Sequence, residues 1–202
     1  MKEKKGNIYT IFDEILQRKD KEILLNQSSK VIWMTGLSGS GKTTIAKGVE
    51  KYLYSKGIIT QILDGDNLRA GINNDLTFSS QDRNENIRRV SEISKLFINC
   101  GIITINCFIS PTIKIRKMAK NIIGEENFIE IYINASIEEC KKRDVKGLYK
   151  KAENKKIKNF TGISSPFESP KKPELEIDTT KLSINESIQK VIDYILPKIK
   201  AN

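Results

Sequence analysis

A glycine-rich motif with a lysine and a threonine carries the clearest chemistry in this sequence. Gly36, Gly41, Lys42 and Thr43 complete the pattern G-x-x-x-x-G-K-[ST] within GLSGSGKT. In that pattern the glycines let backbone amides turn towards phosphate oxygens, while the lysine and the hydroxyl meet phosphate and magnesium. We therefore predict a nucleoside triphosphate site for ATP with Mg²⁺; the alternative is a glycine turn before an ordinary helix.

Two carboxylates stand two positions apart at the end of a predicted strand. If extended backbone continues through Asp64 and Asp66, both side chains project to one side. Ligands of open α/β sheets gather at the carboxyl ends of strands, so the pair is a candidate magnesium-water ligand or base for an attacking hydroxyl. A turn is the alternative, because Asp-Gly and Asp-Asn both favour turns.

Four arginines surround a stretch rich in acids and amides that follows this pair. They are Arg69, Arg83, Arg88 and Arg89. Guanidinium groups suit the phosphate, sulfate or carboxylate of a second substrate. For Arg88 and Arg89 a solvated helix face is an equally good interpretation, since charges on helices usually lie at the surface.

The absence of histidine excludes several kinds of catalysis. Without imidazole the chain has no Ser-His-Asp triad, no Cys-His nucleophile and no usual hydrolytic zinc centre. The three cysteines, Cys100, Cys107 and Cys140, match no zinc or CxxC spacing, so we interpret them as reduced thiols. Phosphoryl transfer needs only carboxylates, cations, backbone amides and a metal ion.

The net charge of +10 invites a nucleic-acid interpretation. Residues 141–158, however, hold nine Lys or Arg and only two acids, so most of the excess is local. A local basic segment indicates an anion-binding loop beside the nucleotide site. An ATP-switched protein that binds nucleic acid is kept as an alternative, although the chain has no RNA-binding aromatic signature.

Strands alternate with helices along the 202 residues, a length that suits one domain. This order predicts a parallel α/β sheet covered by helices on both faces. The predicted strands are residues 31–35, 58–63, 102–109, 128–133 and 175–179; the predicted helices are residues 43–56, residues 80–99, one with Pro111 in its first turn, a short one from residue 137, and residues 184–198.

The first 24 residues are predicted to form an N-terminal helical extension of a domain spanning residues 25–202. Ile11, Phe12, Ile15 and Leu16 have the spacing of an amphipathic helix. The start MKEKKGNIYT lacks the apolar core of a signal peptide, and no apolar stretch reaches membrane-span length. We therefore expect a cytoplasmic protein with no membrane contact.

Six segments together resemble the adenylyl-sulfate kinase family. In order across about residues 25–196 they are GLSGSGKTTIA, LDGDNLR, DLTFSSQDRNENIRRV, CFISP, KKRDVKGLYKKA and IKNFTGI. The resemblance implies a nucleoside-kinase-like P-loop fold, commonly dimeric. It also implies transfer of a phosphoryl group from ATP to the 3′-hydroxyl of adenylyl sulfate in sulfate activation. Because no sulfurylase module is attached, a separate ATP sulfurylase is expected to supply the substrate.

The resemblance also implies roles for the residues around ATP. Asp66 would be the catalytic carboxylate, with Asp64 in support and Lys42 on the phosphates. Thr43 and Asp66 would hold Mg²⁺, directly or through water. The ATP-binding residues would be Gly36, Leu37, Ser38, Gly39, Ser40, Gly41, Lys42, Thr43, Thr44 and Arg143.

On the acceptor side, the resemblance implies that Phe78 and Phe160 sandwich the adenine, with a core role as the alternative for each ring. Ser110 corresponds to a position that the family associates with a phosphoserine intermediate; we favour a hydrogen-bonding role, and helix capping is also open. Residues 144–163 would form a lid. The other substrate-binding residues would be Asp66, Arg69, Arg83, Asn86, Ile109, Lys146, Gly147 and Leu148.

Four positions depart from the commonest pattern of this family near the second substrate. They are Ala70, Thr77, Thr112 and Ile113. A related P-loop kinase that acts on another nucleotide anhydride or on a nucleoside monophosphate is therefore an alternative.

Overall fold

The computed structural model describes residues 8–201 and contains one five-stranded parallel sheet. The strands are β1 Val31–Thr35, β2 Thr60–Asp64, β3 Ile103–Cys107, β4 Phe128–Asn134 and β5 Leu175–Asp178. Their order in the sheet, β2-β3-β1-β4-β5, places the strand before the glycine-rich loop at the centre. The predicted parallel α/β class is confirmed.

Helices cover both faces of the sheet, and alternate residues of β1 pack into two different cores. The helices are α1 Arg18–Leu25, α2 Lys42–Ser55, α3 Gly65–Ala70, α4 Ser80–Asn99, α5 Ile113–Ile123, α6 Ile137–Arg143, α7 Leu148–Glu153 and α8 Ile184–Ile199, with a 3₁₀ turn at Glu125–Asn127. Ile32 and Met34 join the core beneath α2 and α8, while Val31 and Trp33 join the core beneath α4 and α5.

The register brings the carboxyl ends of the strands to one edge. Met34 of β1 pairs with Cys107 of β3 and with Ile131 of β4, and Asp64 of β2 also pairs with Cys107. The loops that follow β1, β2 and β3 therefore leave the sheet side by side. This edge is where ligands of open parallel sheets bind.

The predicted position of the N-terminal helix is wrong. Residues 11–16 lack helix, and the first helix begins at Arg18. The Gln17 amide donates to the carbonyls of Phe12 (2.8 Å) and Ile15 (2.6 Å), which holds a turn directly before the helix. The apolar side chains of this segment are exposed, so a helix there gains no burial to stabilise it. Residues 1–7 of the predicted extension lie outside the described residues.

The boundaries of two strands and the start of one helix also differ from prediction. The second strand is residues 60–64 rather than 58–63, and the third ends at Cys107 rather than residue 109. Pro111 precedes α5 rather than lying in its first turn, because Thr112 is the cap and accepts from the Ile115 amide at 3.2 Å. No helix within residues 8–201 combines the length and apolarity needed to cross a membrane.

Candidate active site

The glycine-rich loop joins β1 directly to α2, as predicted. Gly36 has φ +151°, and a Cβ there would collide with the carbonyl oxygen of Ile133 on β4. Gly41 caps α2 with φ +106°, a conformation that favours glycine. The loop can therefore approach the sheet closely and direct the amides of the first turn of α2 towards an anion.

The lysine of the loop is buried. Lys42 Nζ donates to the carbonyls of Gly36 (2.9 Å) and Leu37 (2.6 Å). Burial lowers the pKa of Lys42 to about 8, since the ammonium loses hydration. An anion bound in the loop would restore favourable charge interactions to this group.

Thr43 and Asp64 meet between α2 and β2. The Thr43 hydroxyl donates to Asp64 Oδ2 at 2.9 Å, and Asp64 Oδ1 accepts from the Asp66 amide at 3.0 Å. Asp64 thus caps α3, and extended backbone ends there. Since Asp66 lies in the first turn of a helix, the expected pair of parallel carboxylates on one strand is wrong, and the two acids take different partners.

Asp66 forms an ion pair with Lys146, across 80 residues of sequence. Both side chains are more than half exposed. The hydrogen bond to Asp66 raises the pKa of Lys146. This pair joins α3 to the basic segment before α7, so the predicted catalytic carboxylate and the predicted lid are in direct contact.

The oxygen atoms at this edge suit a magnesium ion that also binds phosphate. Thr43 supplies a hydroxyl, and Asp64 and Asp66 supply carboxylates from the end of β2 and the start of α3. Among residues 8–201, no group of three or more His, Cys, Asp or Glu side chains could hold a metal by itself. Such a partial oxygen set fits Mg²⁺, which usually keeps waters and takes phosphate oxygens as ligands.

Arg69 and Phe78, two residues predicted to lie on the acceptor side, contact each other. The Arg69 guanidinium is 4.4 Å from the centre of the Phe78 ring, and it donates to the Thr77 carbonyl at 2.9 Å. Burial lowers the pKa of Arg69. Phe78 is 55% exposed, so the alternative that it is a core residue is wrong. A cation and an open aromatic face are therefore adjacent.

Arg83 bridges the start of α4 to the lid. Its guanidinium donates to the Phe78 carbonyl at 3.0 Å and to the Thr161 hydroxyl at 3.0 Å, and it also bonds the Asn159 carbonyl. Burial lowers the pKa of Arg83. Arg83 thus links the segment that carries Phe78 to the segment that carries Phe160.

Phe160 packs inside the lid. Its ring meets Tyr149 edge-on, with 5.0 Å between ring centres, and only 8% of the residue is exposed. The core alternative is confirmed for Phe160; contact with a purine stays a prediction. Leu148 packs against the same cluster, and Gly147 is the N-cap residue of α7 with φ +63°.

Ser110 and Ile109 follow β3 and connect to β1. The Ser110 hydroxyl accepts from Trp33 Nε1 at 3.1 Å and donates to the Thr35 hydroxyl at 2.9 Å. Thr35 in turn donates to the Ile109 carbonyl at 2.7 Å. The hydrogen-bonding interpretation of Ser110 agrees with this geometry, whereas the helix-capping alternative is wrong because Thr112 caps α5.

Arg143 and Thr179 brace the glycine-rich loop from the side of β5. Arg143 Nη2 donates to the Thr179 carbonyl at 2.7 Å, and the Thr179 hydroxyl donates to the Ser40 carbonyl at 2.9 Å. Thr44 lies exposed in the first turn of α2. Arg143 thus lies beside the predicted ATP-binding loop, and Thr179 is a contact that sequence reasoning missed.

Two further residues near the site escaped the sequence analysis. Tyr149 donates its hydroxyl to the Ser38 carbonyl at 2.9 Å, which links the lid to the glycine-rich loop. Asn73 is fully buried and donates to Asn86 Oδ1 at 3.1 Å. Tyr149 lies inside KKRDVKGLYKKA, one of the segments that resemble the family, so its neighbours pointed to a position near the site. Asn73 lies in an irregular stretch where no motif pointed to such a position.

Arg88 and Arg89 form ion pairs on the surface of α4. Arg88 pairs with Glu85 at 2.7 Å, and Arg89 pairs with Glu85 at 2.9 Å and with Asp75 at 2.7 Å. The structure therefore agrees with the helix-face interpretation of these two arginines. Arg69 and Arg83 are the members of the group that approach Phe78.

Comparison with known proteins gives one consistent family. Residues 28–178 match the family described as Adenylylsulphate kinase. An adenylyl-sulfate kinase of Bacteroides thetaiotaomicron is 57% identical over 198 residues, 98% of each chain. One from Clostridium acetobutylicum is 53% identical over 180 residues, covering 89% of this chain and 90% of the relative.

Solved structures agree with the sequence relatives. The APS kinase of Mycobacterium tuberculosis, in complex with AMPPNP and APS, superposes with a TM-score of 0.81 at 43% identity, covering 84% of this chain and 98% of that one. A hexameric APS kinase from Thiobacillus denitrificans has a TM-score of 0.63 at 27% identity, covering 86% of this chain and 30% of that one. With the motif order, the sheet and the loop geometry in agreement, the chain belongs to the adenylylsulphate kinase family.

Proposed function

We propose that this protein transfers the γ-phosphoryl group of ATP to the 3′-hydroxyl of adenylyl sulfate, giving 3′-phosphoadenylyl sulfate and ADP. The observation that carries the proposal is the junction of Thr43, Asp64, Asp66 and Lys146 at the edge of the sheet. There a phosphate-binding loop meets carboxylates, with cations from the lid. The resemblance of the chain to a kinase solved with AMPPNP and APS supports the same substrates here.

The donor side of the reaction rests on the loop between β1 and α2. Backbone amides of this loop and the amino end of α2 would bind the ATP phosphates. Lys42 would exchange its bonds to the Gly36 and Leu37 carbonyls for phosphate oxygens. Thr43 and Asp66, with Asp64 in support, would hold Mg²⁺ directly or through water; when bound, the ion supplies neutralisation of phosphate charge.

On the acceptor side, Asp66 would accept the proton of the attacking hydroxyl. It must first release Lys146, which then becomes free to face the negative charge of the nucleotides. Arg69 and Arg83 would bind the anhydride, and the open ring of Phe78 would stack on adenine. Asn86, Ile109 and Ser110 would complete the acceptor pocket.

The lid would close over both nucleotides. Residues 144–163 carry six basic side chains against two acids, so closure brings positive charge to two polyanionic ligands. Closure also excludes water from the transferred group. Lys146, Gly147, Leu148 and Phe160 are the lid residues proposed to approach the nucleotides, with Arg143 at the ATP side.

The setting that we propose is a cytoplasmic homodimer in sulfate assimilation, supplied by a separate ATP sulfurylase. The shared family and the near-complete overlap with the Bacteroides relative support the activity. No observation specifically favours another acceptor or a nucleic acid. Size measurement by sedimentation would test the dimer.

The experiment that tests the activity measures ADP release with Mg-ATP and a set of acceptors. The set contains adenylyl sulfate, AMP, CMP, dTMP and a reaction without acceptor. We expect strong stimulation by adenylyl sulfate alone, with the product phosphorylated at the 3′-hydroxyl. Stimulation by a nucleoside monophosphate instead would support the related-kinase alternative, and no stimulation by any acceptor would contradict the proposal.

A further inference from the structure

The single tryptophan of the chain lies in the central strand of the sheet and is bonded to Ser110, a residue proposed for the acceptor pocket. Trp33 is fully buried in β1. Its ring stacks between Phe108, at 5.6 Å, and Phe128, at 5.4 Å between centres. An aliphatic or phenyl side chain could fill such an apolar space, so packing alone does not explain an indole here.

The indole differs from those side chains in its N–H group, which needs an acceptor when buried. Trp33 Nε1 donates to the Ser110 hydroxyl at 3.1 Å. The Ser110 hydroxyl in turn donates to the Thr35 hydroxyl at 2.9 Å. Trp33 and Thr35 are alternate residues of β1 and therefore lie on one face of the sheet. Together they fix both the donor and the acceptor side of the Ser110 hydroxyl.

The backbone of Ser110 needs this restraint. Its φ of +37° lies in the left-handed region, which serine adopts rarely. The Ser110 carbonyl accepts from Arg116 Nη1 at 2.8 Å, so the residue is held through its side chain and its main chain. A strained conformation persists when its surroundings over-determine it.

We propose that Trp33 is a positioning residue for the acceptor nucleotide. Its N–H orients the Ser110 hydroxyl and thereby holds residues 109–110 as a preformed wall of the acceptor pocket. This inference rests on the proposed function for the identity of the acceptor. In this arrangement the Ser110 proton is directed into the sheet towards Thr35, so Ser110 serves as a wall and not as a phosphoryl acceptor.

A double-mutant cycle tests the proposal through KM. Trp33→Phe and Ser110→Ala should each raise KM for adenylyl sulfate by about three- to tenfold, the effect of one hydrogen bond. KM for ATP and kcat should change less than about twofold. Because Trp33 acts through Ser110, the double variant should match Ser110→Ala alone. Multiplication of the two single effects would overturn the proposal.

Phe128→Leu is the matched control for packing. Phe128 stacks on the ring of Trp33, whose N–H donates to Ser110. This variant should lower the melting temperature, as Trp33→Phe should, while KM for adenylyl sulfate stays unchanged. A rise in that KM equal to the rise in Trp33→Phe would show that general loosening of the core explains both, and it would overturn the proposal.

Fluorescence gives a readout that remains available if Trp33→Phe fails to fold. Since Trp33 is the only tryptophan, Ser110→Ala should shift the emission maximum to shorter wavelength as the indole loses its polar partner. An unchanged spectrum would overturn the contact. This measurement requires no substrate. If the wild-type protein responds to a different acceptor, the proposed function fails, while the cycle still tests Trp33 on KM for that acceptor.

Discussion

At the scale of single residues, two charged side chains of the site are bonded to groups of the protein itself. Lys42 is bonded to carbonyls of its own loop, and Asp66 is bonded to Lys146. If the two groups act as proposed, both change partners when nucleotides bind. Phosphate and hydroxyl groups of the substrates would then offset the cost of separating these contacts, which would couple binding to activation at these two side chains.

Asp66→Asn should reduce kcat by about 10²- to 10⁴-fold, the usual contribution of a positioned general base. ADP binding should stay nearly intact, because Lys42 and the loop amides are untouched. Steady-state kinetics and calorimetric titration with ADP measure the two effects. Asp193→Asn on α8 is the control with no expected loss. Near-normal turnover of Asp66→Asn would refute its role as base.

The lowered pKa of Lys42 predicts a pH dependence of nucleotide binding. In the free protein Lys42 loses its proton near pH 8, whereas bound phosphate favours the charged form. Affinity for ADP should therefore decrease as pH rises through 8, and binding above that pH should take up a proton. Calorimetry in buffers of different ionisation enthalpy measures this uptake. Lys42→Arg stays charged, so an identical pH dependence in that variant would contradict the assignment.

At the scale of elements, short sequence motifs correctly predicted the structures that depend on contacts between residues close together in the chain. The β1-loop-α2 unit could be predicted because Gly36, Gly41 and Lys42 lie within one short motif between a strand and a helix. The cap of α4 could be predicted because Ser79 and Asp82 are three residues apart, and the structure joins them at 3.1 Å. The end of β2 was predicted less accurately, because Asp64 is both the last residue of the strand and the cap of α3.

Contacts between distant elements could not be predicted. Trp33 meets Ser110 across 77 residues, and Tyr149 meets Ser38 across 111. No periodicity relates such positions; the register of β1 beside β3 and the packing of α7 on the loop bring them together. The apolar spacing near the N-terminus predicted a helix that is absent, because an amphipathic segment forms a stable helix only where another element covers its apolar face. That covering is also a contact between distant elements.

If residues 144–163 close over bound nucleotides as proposed, nucleotides should protect this segment from proteolysis. Residues 150–158 contain several lysines that trypsin can cleave when the segment opens. ADP together with adenylyl sulfate should slow cleavage there by about tenfold, because closure lowers the population of the open form. Gel analysis with mass spectrometry locates the cuts. Lys146→Met, which lacks the ion pair to Asp66, should be cleaved faster without ligand. Unchanged cleavage with both nucleotides present would argue against closure.

At the scale of the whole molecule, the chain is organised around one sheet with its chemistry at one edge. The two large cores lie on opposite faces of that sheet, and a third, smaller cluster lies beneath the lid. The N-terminal segment joins this body through Arg18, which donates to Asn127 Oδ1 at 2.7 Å and to the Ser29 carbonyl. The division at residue 24 stays a prediction, and it falls inside α1.

Removal of residues 1–16 tests how far the extension is independent. Because the apolar side chains of residues 8–16 are exposed, the melting temperature should fall by less than about 2 °C. Arg18→Ala removes anchoring hydrogen bonds and should destabilise by about 1–3 kcal/mol, or several degrees. Differential scanning calorimetry compares the two. A larger loss on truncation than in Arg18→Ala would show that residues 1–16 are part of the folded domain.

The ion pair between Lys146 and Asp66 gives the resting lid a sensitivity to ionic strength. Both side chains face solvent, where dissolved ions weaken the attraction between exposed charges. The contact between Tyr149 and Phe160 is buried and apolar, so the same ions leave it unchanged. We therefore expect added salt to loosen the end of the proposed lid that contacts Asp66 while its base stays packed.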